Sequence, residues 1–228
     1  MTRQIVLDTE TTGLSHEQGH RVIEIGAVEI LNRHTTGRHY HVYLNPDREV
    51  DAGALEVHGL SNEFLSDKPR FASVAMEFLA FIQDAELIIH NAPFDVGFLN
   101  AELARIQQAA LKSHCAGVLD TLKLAKELHP GQKNNLDALC RRYDVDNSGR
   151  AYHGALLDAQ LLAEVYLSMT RGQDSLAIDL GGSPAAGGVA TLARPEVLII
   201  LQPSPDELAA HGAYLEGLAK ESGQAVDW

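Results

Sequence analysis

In Ile5-Val6-Leu7-Asp8-Thr9-Glu10-Thr11-Thr12-Gly13 an apolar run ends in two carboxylates set two residues apart. Side chains alternate across a strand with a period of two, so Asp8 and Glu10 point to one face of whatever sheet this strand joins. Two like charges placed in this way repel. The pair is stable if its pKa values rise, if water solvates it, or if a cation lies between, and hard oxygen donors at strand spacing suit Mg2+ or Mn2+. A bare Asp-x-Glu is more often a solvated strand end, so the weight falls on what the rest of the chain brings to it.

Residues 3–9 and 22–31 are rich in Val, Ile and Leu, and residues 38–45 alternate more openly. Joined by short turn-forming segments, they predict three strands in an antiparallel meander. The pattern then predicts a helix over 70–82, a strand from Leu87 to His90, a helix over 92–108 and a short strand near Val118-Leu119, after which helices dominate. Asn91 is placed to cap the helix that follows it, with Pro93 in the first turn, and Pro130-Gly131 ends another helix. Residues 1–172 form the expected domain. Residues 173–195, in a stretch rich in Gly, Ser, Ala and Pro, have the composition of a flexible linker. Residues 196–228 hold the apolar run Val197-Leu198-Ile199-Ile200-Leu201 and a helix start at Ser204-Pro205-Asp206-Glu207, running to about Glu221. One strand and one helix are too few to fold alone, so this segment is expected to order by docking.

The 228 residues carry 31 acidic and 18 basic side chains, a net charge of −13, and 45% are hydrophobic. That suits a globular domain with a real core and excludes a stand-alone nucleic-acid coat or a membrane-surface binder, either of which needs a positive field. An enzyme that brings its own divalent cations to nucleic acid is not excluded. Cys115 and Cys140 form neither a disulfide framework nor a zinc-ribbon spacing. With no signal-like start at Met1-Thr2-Arg3-Gln4 and no run approaching the roughly 20 apolar residues of a membrane span, the expected compartment is the cytoplasm.

Two further acids stand in suggestive settings. Asp95, in His90-Asn91-Ala92-Pro93-Phe94-Asp95, lies one turn into a helix entered from a strand, where an acid alone would merely complement the helix dipole. In Tyr152-His153-Gly154-Ala155-Leu156-Leu157-Asp158, five helical residues would turn the chain by about 500°, so His153 and Asp158 can act together only if His153 precedes the helix. Gly154 permits that break.

With these three stretches in this order, the chain resembles the DEDDh 3′→5′ exonucleases. The resemblance implies an α/β, ribonuclease H-like fold: a mixed five-stranded sheet flanked by helices, followed here by a flexible C-terminal tail. It implies that Asp8, Glu10, Asp95 and Asp158 hold two divalent cations, Mg2+ or Mn2+, and that His153 is the general base. In the family's arrangement Asp8 bridges both ions, Glu10 and Asp158 complete the tighter site, and Asp95 helps position water and ions. One ion activates the water, the other stabilises the leaving 3′-oxygen, and the product is a nucleoside 5′-monophosphate. By the same resemblance Asp8, Glu10, Leu14, His58, Asn91, Phe94 and Asp158 contact a single-stranded or frayed DNA 3′ end. The stretch from Asp51 to Glu56, ahead of His58, matches the family less well.

Residues 3–178 are further similar to the proofreading members of the family that serve bacterial replicative polymerases, including Asn134-Asn135-Leu136-Asp137-Ala138-Leu139-Cys140 and His153-Gly154-Ala155-Leu156-Leu157-Asp158-Ala159-Gln160. Gln173, Ser175, Leu176 and Ile178 lie in a peptide similar to the one by which replication proteins hold the sliding clamp. Asp206-Glu207-Leu208-Ala209-Ala210-His211 with Trp228 resembles the segment that binds the polymerase alpha subunit, and a small accessory subunit on the core is compatible with the same likeness. Two other readings stand beside this one. The chemistry could serve RNA ends, because no motif reads the 2′-hydroxyl, or the chain could be mainly a bridge between polymerase and clamp, against which the five intact site residues count.

Overall fold

Arg3–Thr11 (β1) is buried along most of its length, the mark of a central strand. The computed structural model describes residues 2–149, 152–171 and 203–222. After β1 come Val22–Leu31 (β2), His34–Tyr43 (β3), Ala52–His58 (α1), Asn62–Leu65 (α2), Phe71–Ile82 (α3), Glu86–Ile89 (β4) and Ala92–Arg105 (α4). Gly117–Asp120 (β5), Thr121–Leu128 (α5), Leu136–Tyr143 (α6), Ala155–Met169 (α7) and Pro205–Ser222 (α8) follow. The strand order is β3-β2-β1-β4-β5. The first three strands are the expected meander, while β4 and β5 run parallel to β1, so the sheet is mixed. The β2–β3 turn is two residues, Asn32 and Arg33, with φ of 49° and 65°, the left-handed pair that matches the twist of a tight hairpin.

The alternation along β1 divides the core in two. Ile5 and Leu7 face α3 and α4, where Phe71, Phe78, Phe98 and Leu103 pack, while Val6 faces Leu139 of α6 and Leu162 and Val165 of α7. Asp8 and Glu10 continue the Val6 face and therefore end beside α7.

Four expectations shift, the first being the third strand, which runs over His34–Tyr43 rather than 38–45. The second predicted helix stops at Arg105 rather than 108, with Gln107 already at φ 57°. The fourth strand is Glu86–Ile89, leaving His90 outside it. Asn91 precedes α4 as expected, but its side chain makes no capping bond. Its backbone is left-handed at φ 65°, and its carbonyl accepts from the Phe94 N–H at 3.0 Å. The linker 173–195, with Gln173, Ser175, Leu176 and Ile178, the run Val197–Leu201 and Trp228 lie outside the described residues. The described residues up to 171 belong to one compact unit and those from 203 to 222 to another. In the second, α8 opens on the expected capping box, with Ser204 N–H donating to Glu207 Oε2 at 2.8 Å and Glu207 N–H to Ser204 Oγ at 3.3 Å. Among the described residues no helix is long and apolar enough to cross a membrane.

One glycine sets the position of α7. Gly26 on β2 pairs across the sheet with Asp8, and a Cβ at Gly26 would overlap the backbone of Ala155 and Leu156. The first turn of α7 thus rests directly on β2. Because backbone cannot give way as a flexible side chain can, Gly26→Ala is expected to push that turn off the sheet. Overpacking of this kind costs about 1–3 kcal/mol, and urea unfolding of the variant should show a loss of at least that size.

Candidate active site

The end of β1, the residues before α7 and the first turn of α7 converge. His153 does precede its helix: Gly154 is the N-cap, extended at φ −139°, and the His153 N–H is held by the Val57 carbonyl of α1 at 3.1 Å. This places His153 Nδ1 3.3 Å from Asp158 Oδ2, with the histidine side chain 45% exposed and the aspartate 5%. Glu10, His153 and Asp158 each bring one possible ligand atom to within 4.8 Å of the others, the one such group of acidic and histidine side chains found among the described residues. Asp8 stands on its rim, lining with His90, Asn135, Asp137, His153 and Asp158 a cavity of about 220 Å³. Hard carboxylate oxygens so gathered fit a divalent cation.

Asp95 is not one of that group. It comes from α4 and is buried, at 3% exposure, with its Oδ1 accepting from the Thr9 hydroxyl at 2.6 Å. Burial pushes its pKa up to about 7. The Thr9 hydrogen bond opposes the rise and the charge of Asp120 adds to it.

On the other side of Glu10 opens a more apolar cleft of about 420 Å³, walled by Thr11, Leu14, Val57, His58 and Phe94. Leu14 is 88% exposed, an apolar side chain held out into the opening. Phe94 leans on Phe98 with ring centroids 4.9 Å apart. His58 Nδ1 accepts from the Leu60 N–H at 2.9 Å, which leaves the ring proton on Nε2, buried and without a well-formed hydrogen bond. Burial lowers the pKa of His58 despite the nearby charge of Glu24. Asn91 lines neither cavity; its N–H is spent on Asp120 Oδ1 at 3.1 Å.

Several neighbours escaped sequence reasoning. Glu24, 2% exposed, pairs with Glu10 across the sheet and is bound by His41 Nε2 at 2.8 Å. His90, Asn135 and Asp137 share the cavity of Asp8. His90, Asn135 and Asp137 lie in stretches already singled out, but nothing along the chain assigns them to the site; strand register and tertiary packing bring them and Glu24 in.

The family profile described as Exonuclease matches residues 5–166. The chain is 50% identical over 236 aligned positions to DNA polymerase III subunit epsilon of Escherichia coli (strain K12), covering 99% of this chain and 97% of that one. It is 48% identical to the subunit of that name from Rickettsia felis, covering 96% and 97%. Among solved structures it is similar to exonuclease X in complex with 5′-overhanging duplex DNA, with a TM-score of 0.58, 23% identity, and 73% of this chain and 90% of that one covered. It is also similar to the zinc-bound complex of E. coli exonuclease I with single-stranded DNA, with a TM-score of 0.67, 17% identity, and coverage of 76% and 41%. The ribonuclease H-like exonuclease fold expected from the sequence is the one these neighbours share.

The carboxyl of Asp95 generates a pH dependence. Its folded pKa stands above the ordinary 3.8, so the folded chain keeps a proton that the unfolded chain releases. Stability from this source is complete below the unfolded value and lost as pH rises through about 7. In EDTA, the urea midpoint of the wild type should fall between about pH 5.5 and about pH 8, and Asp95→Asn should flatten that fall.

Proposed function

Because the chain belongs to the Exonuclease family, at half identity with DNA polymerase III epsilon subunits, we infer that it is a metal-dependent 3′→5′ exonuclease that removes mispaired nucleotides from DNA 3′ ends, as the proofreading subunit of a bacterial DNA polymerase III. The observation that carries the chemistry is the convergence of Glu10, His153 and Asp158, with Glu10 also lining the apolar cleft.

Asp8, Glu10 and Asp158, with Asp95 from the α4 side, would hold two divalent cations, Mg2+ or Mn2+. Bound there, the ions supply Lewis-acid activation of the attacking water and offset charge on the leaving 3′-oxygen. The chain itself does the rest. Asp158 orients the His153 imidazole, whose ring is exposed enough to take the proton from the attacking water as general base. Leu14 and Phe94 offer apolar surface to the terminal base, and the His58 Nε2–H offers a buried donor. Its only partner is a loose bond to the Thr11 backbone, so an acceptor on the nucleotide can compete for it. Mismatches are favoured because a mispaired terminus frays at lower cost, and an unpaired end can enter the cleft.

A net charge of −13 gives little general attraction to DNA, so the reaction relies on delivery by partners. Gln173, Ser175, Leu176 and Ile178 are the proposed sliding-clamp contact, and residues 196–228 the contact for the polymerase alpha subunit. In that segment α8 carries Leu208 and Tyr214 exposed, at 57% and 65%. Tethering of this kind raises the local concentration of the primer end to about the millimolar range.

EDTA is expected to abolish release of nucleoside 5′-monophosphates from a 3′-mismatched primer, and Mg2+ or Mn2+ to restore it. His153→Gln should turn over about 10²–10⁴-fold more slowly while keeping the wild-type melting temperature. A chelator-resistant activity, or a His153→Gln protein as fast as wild type, contradicts this reading, and a faster rate on matched RNA than on DNA redirects it to RNA ends.

A further inference from the structure

His20 stands behind the cleft without lining it. Its side chain is buried, at 7% exposure for the residue, and the ring packs so closely on Gly13 that a Cβ there would overlap it. Thr12, fully buried, accepts from the Arg21 N–H at Oγ1 (3.0 Å), and its hydroxyl lies 3.1 Å from His20 Nδ1; we assign the hydroxyl proton to this contact, the tautomer that also turns the ring N–H toward a carboxylate. With Nδ1 accepting, the ring proton lies on Nε2, 3.5 Å from Asp51 Oδ2. Asp51 in turn donates its backbone N–H to the Thr12 carbonyl at 3.0 Å. The imidazole therefore closes a ring that runs from Thr12 through His20 to Asp51 and back to Thr12.

The two sides of this ring continue into two walls of the cleft. Gly13 and Leu14 follow Thr12, while Ala54, Val57 and His58 follow Asp51 on α1. At its far side the Leu14 loop is anchored a second time, by His16 edge-on to Phe98 with centroids 5.6 Å apart. We propose that His20 is a positioning residue: clamped between Thr12 and Asp51, it fixes the separation of the Leu14 loop from α1 and so the width of the slot that receives the terminal base. The proposal rests on reading that cleft as the nucleotide site.

Histidine suits the place because one flat side chain presents an acceptor to a buried hydroxyl and a donor to a carboxylate on opposite sides. An apolar residue would leave the Thr12 hydroxyl without its acceptor. The Asp51 side chain is 58% exposed and stands 3.5 Å from Nε2, so this polar contact itself contributes little to stability. Its removal should loosen a wall while leaving the chemical groups in place, which is a loss of binding rather than of turnover.

The test is steady-state release of nucleotides from a single-stranded DNA oligonucleotide in Mg2+, using the full chain as wild type, His20→Ala, His20→Gln, Asp51→Ala and the double alanine variant, with melting temperatures alongside. His20→Ala is expected to raise KM by about five- to tenfold, with kcat within about twofold of wild type. Asp51→Ala should raise KM less, the double variant should be no worse than His20→Ala, and His20→Gln, which retains an acceptor and a donor, should recover most of the loss. An unchanged KM in the single variants, a fall in kcat at constant KM, or additive effects in the double variant overturns the proposal. If His20→Ala fails to fold, an unchanged KM in Asp51→Ala overturns it by itself. A wild-type protein that releases no nucleotide overturns the functional reading and this proposal together, whereas an active wild type with indifferent variants overturns the proposal alone.

Discussion

Carboxylates drawn from the end of a strand and from the first turn of a distant helix repel one another, and the fold must hold them together against that repulsion. At the spacing seen between Glu10 and Asp158, within 4.8 Å, two unit charges oppose each other by about 3 kcal/mol at the screening usual for protein interiors and surfaces. Packing supplies the restraint. The first turn of α7 rests on Gly26, the cross-strand partner of Asp8, and the rest of α7 is sealed to the sheet through Leu162 and Val165. The arrangement is one a cation would relax, since bound positive charge turns the same proximity from a cost into a ligand cage.

The two faces of the sheet divide the work. On the α7 side are the ionisable groups, Asp8, Glu10, His153 and Asp158, with Glu24 buried behind them and bound by the more exposed His41. On the α4 side Asp95 is sunk in an apolar setting beside Thr9. The apolar cleft opens next to Glu10 and is walled by Leu14 and Phe94, which is where the proposed function puts the terminal base, with its phosphate toward the acids. Selection then rests on whether an end can leave its duplex, and needs no base-specific donors. A net charge of −13 gives the chain little field of its own to draw a phosphate backbone.

Much of this was legible in the sequence because local rules and long-range packing agree there. The period of two along β1 places Asp8 and Glu10 on one face, the apolar runs mark β1 and β2, and the looser alternation from residue 38 catches only the second part of β3. Gly154 breaks the chain before α7, as the His153–Asp158 spacing requires. The rest depends on tertiary partners. Helix α1 is seven residues long, contains Gly53 and shows no helical stripe, yet it carries Val57 and His58 into the cleft. Asn91 has the right chemistry for a cap, but its left-handed backbone turns the side chain away from that bond. Nothing along the chain marks Gly26 as the seat of α7, or sets His20 against Thr12 and Asp51, because these contacts join segments that meet only after folding.

The central claim is that acids from three separate segments share cations at one point. Anomalous diffraction from crystals soaked in Mn2+ with a nucleoside 5′-monophosphate tests it most directly. The account predicts two adjacent peaks bounded by the carboxylates of Asp8, Glu10 and Asp158, with Asp95 approaching from the α4 side and the nucleotide base between Leu14 and Phe94. Peaks elsewhere, or none within bonding distance of Glu10 and Asp158, would contradict it.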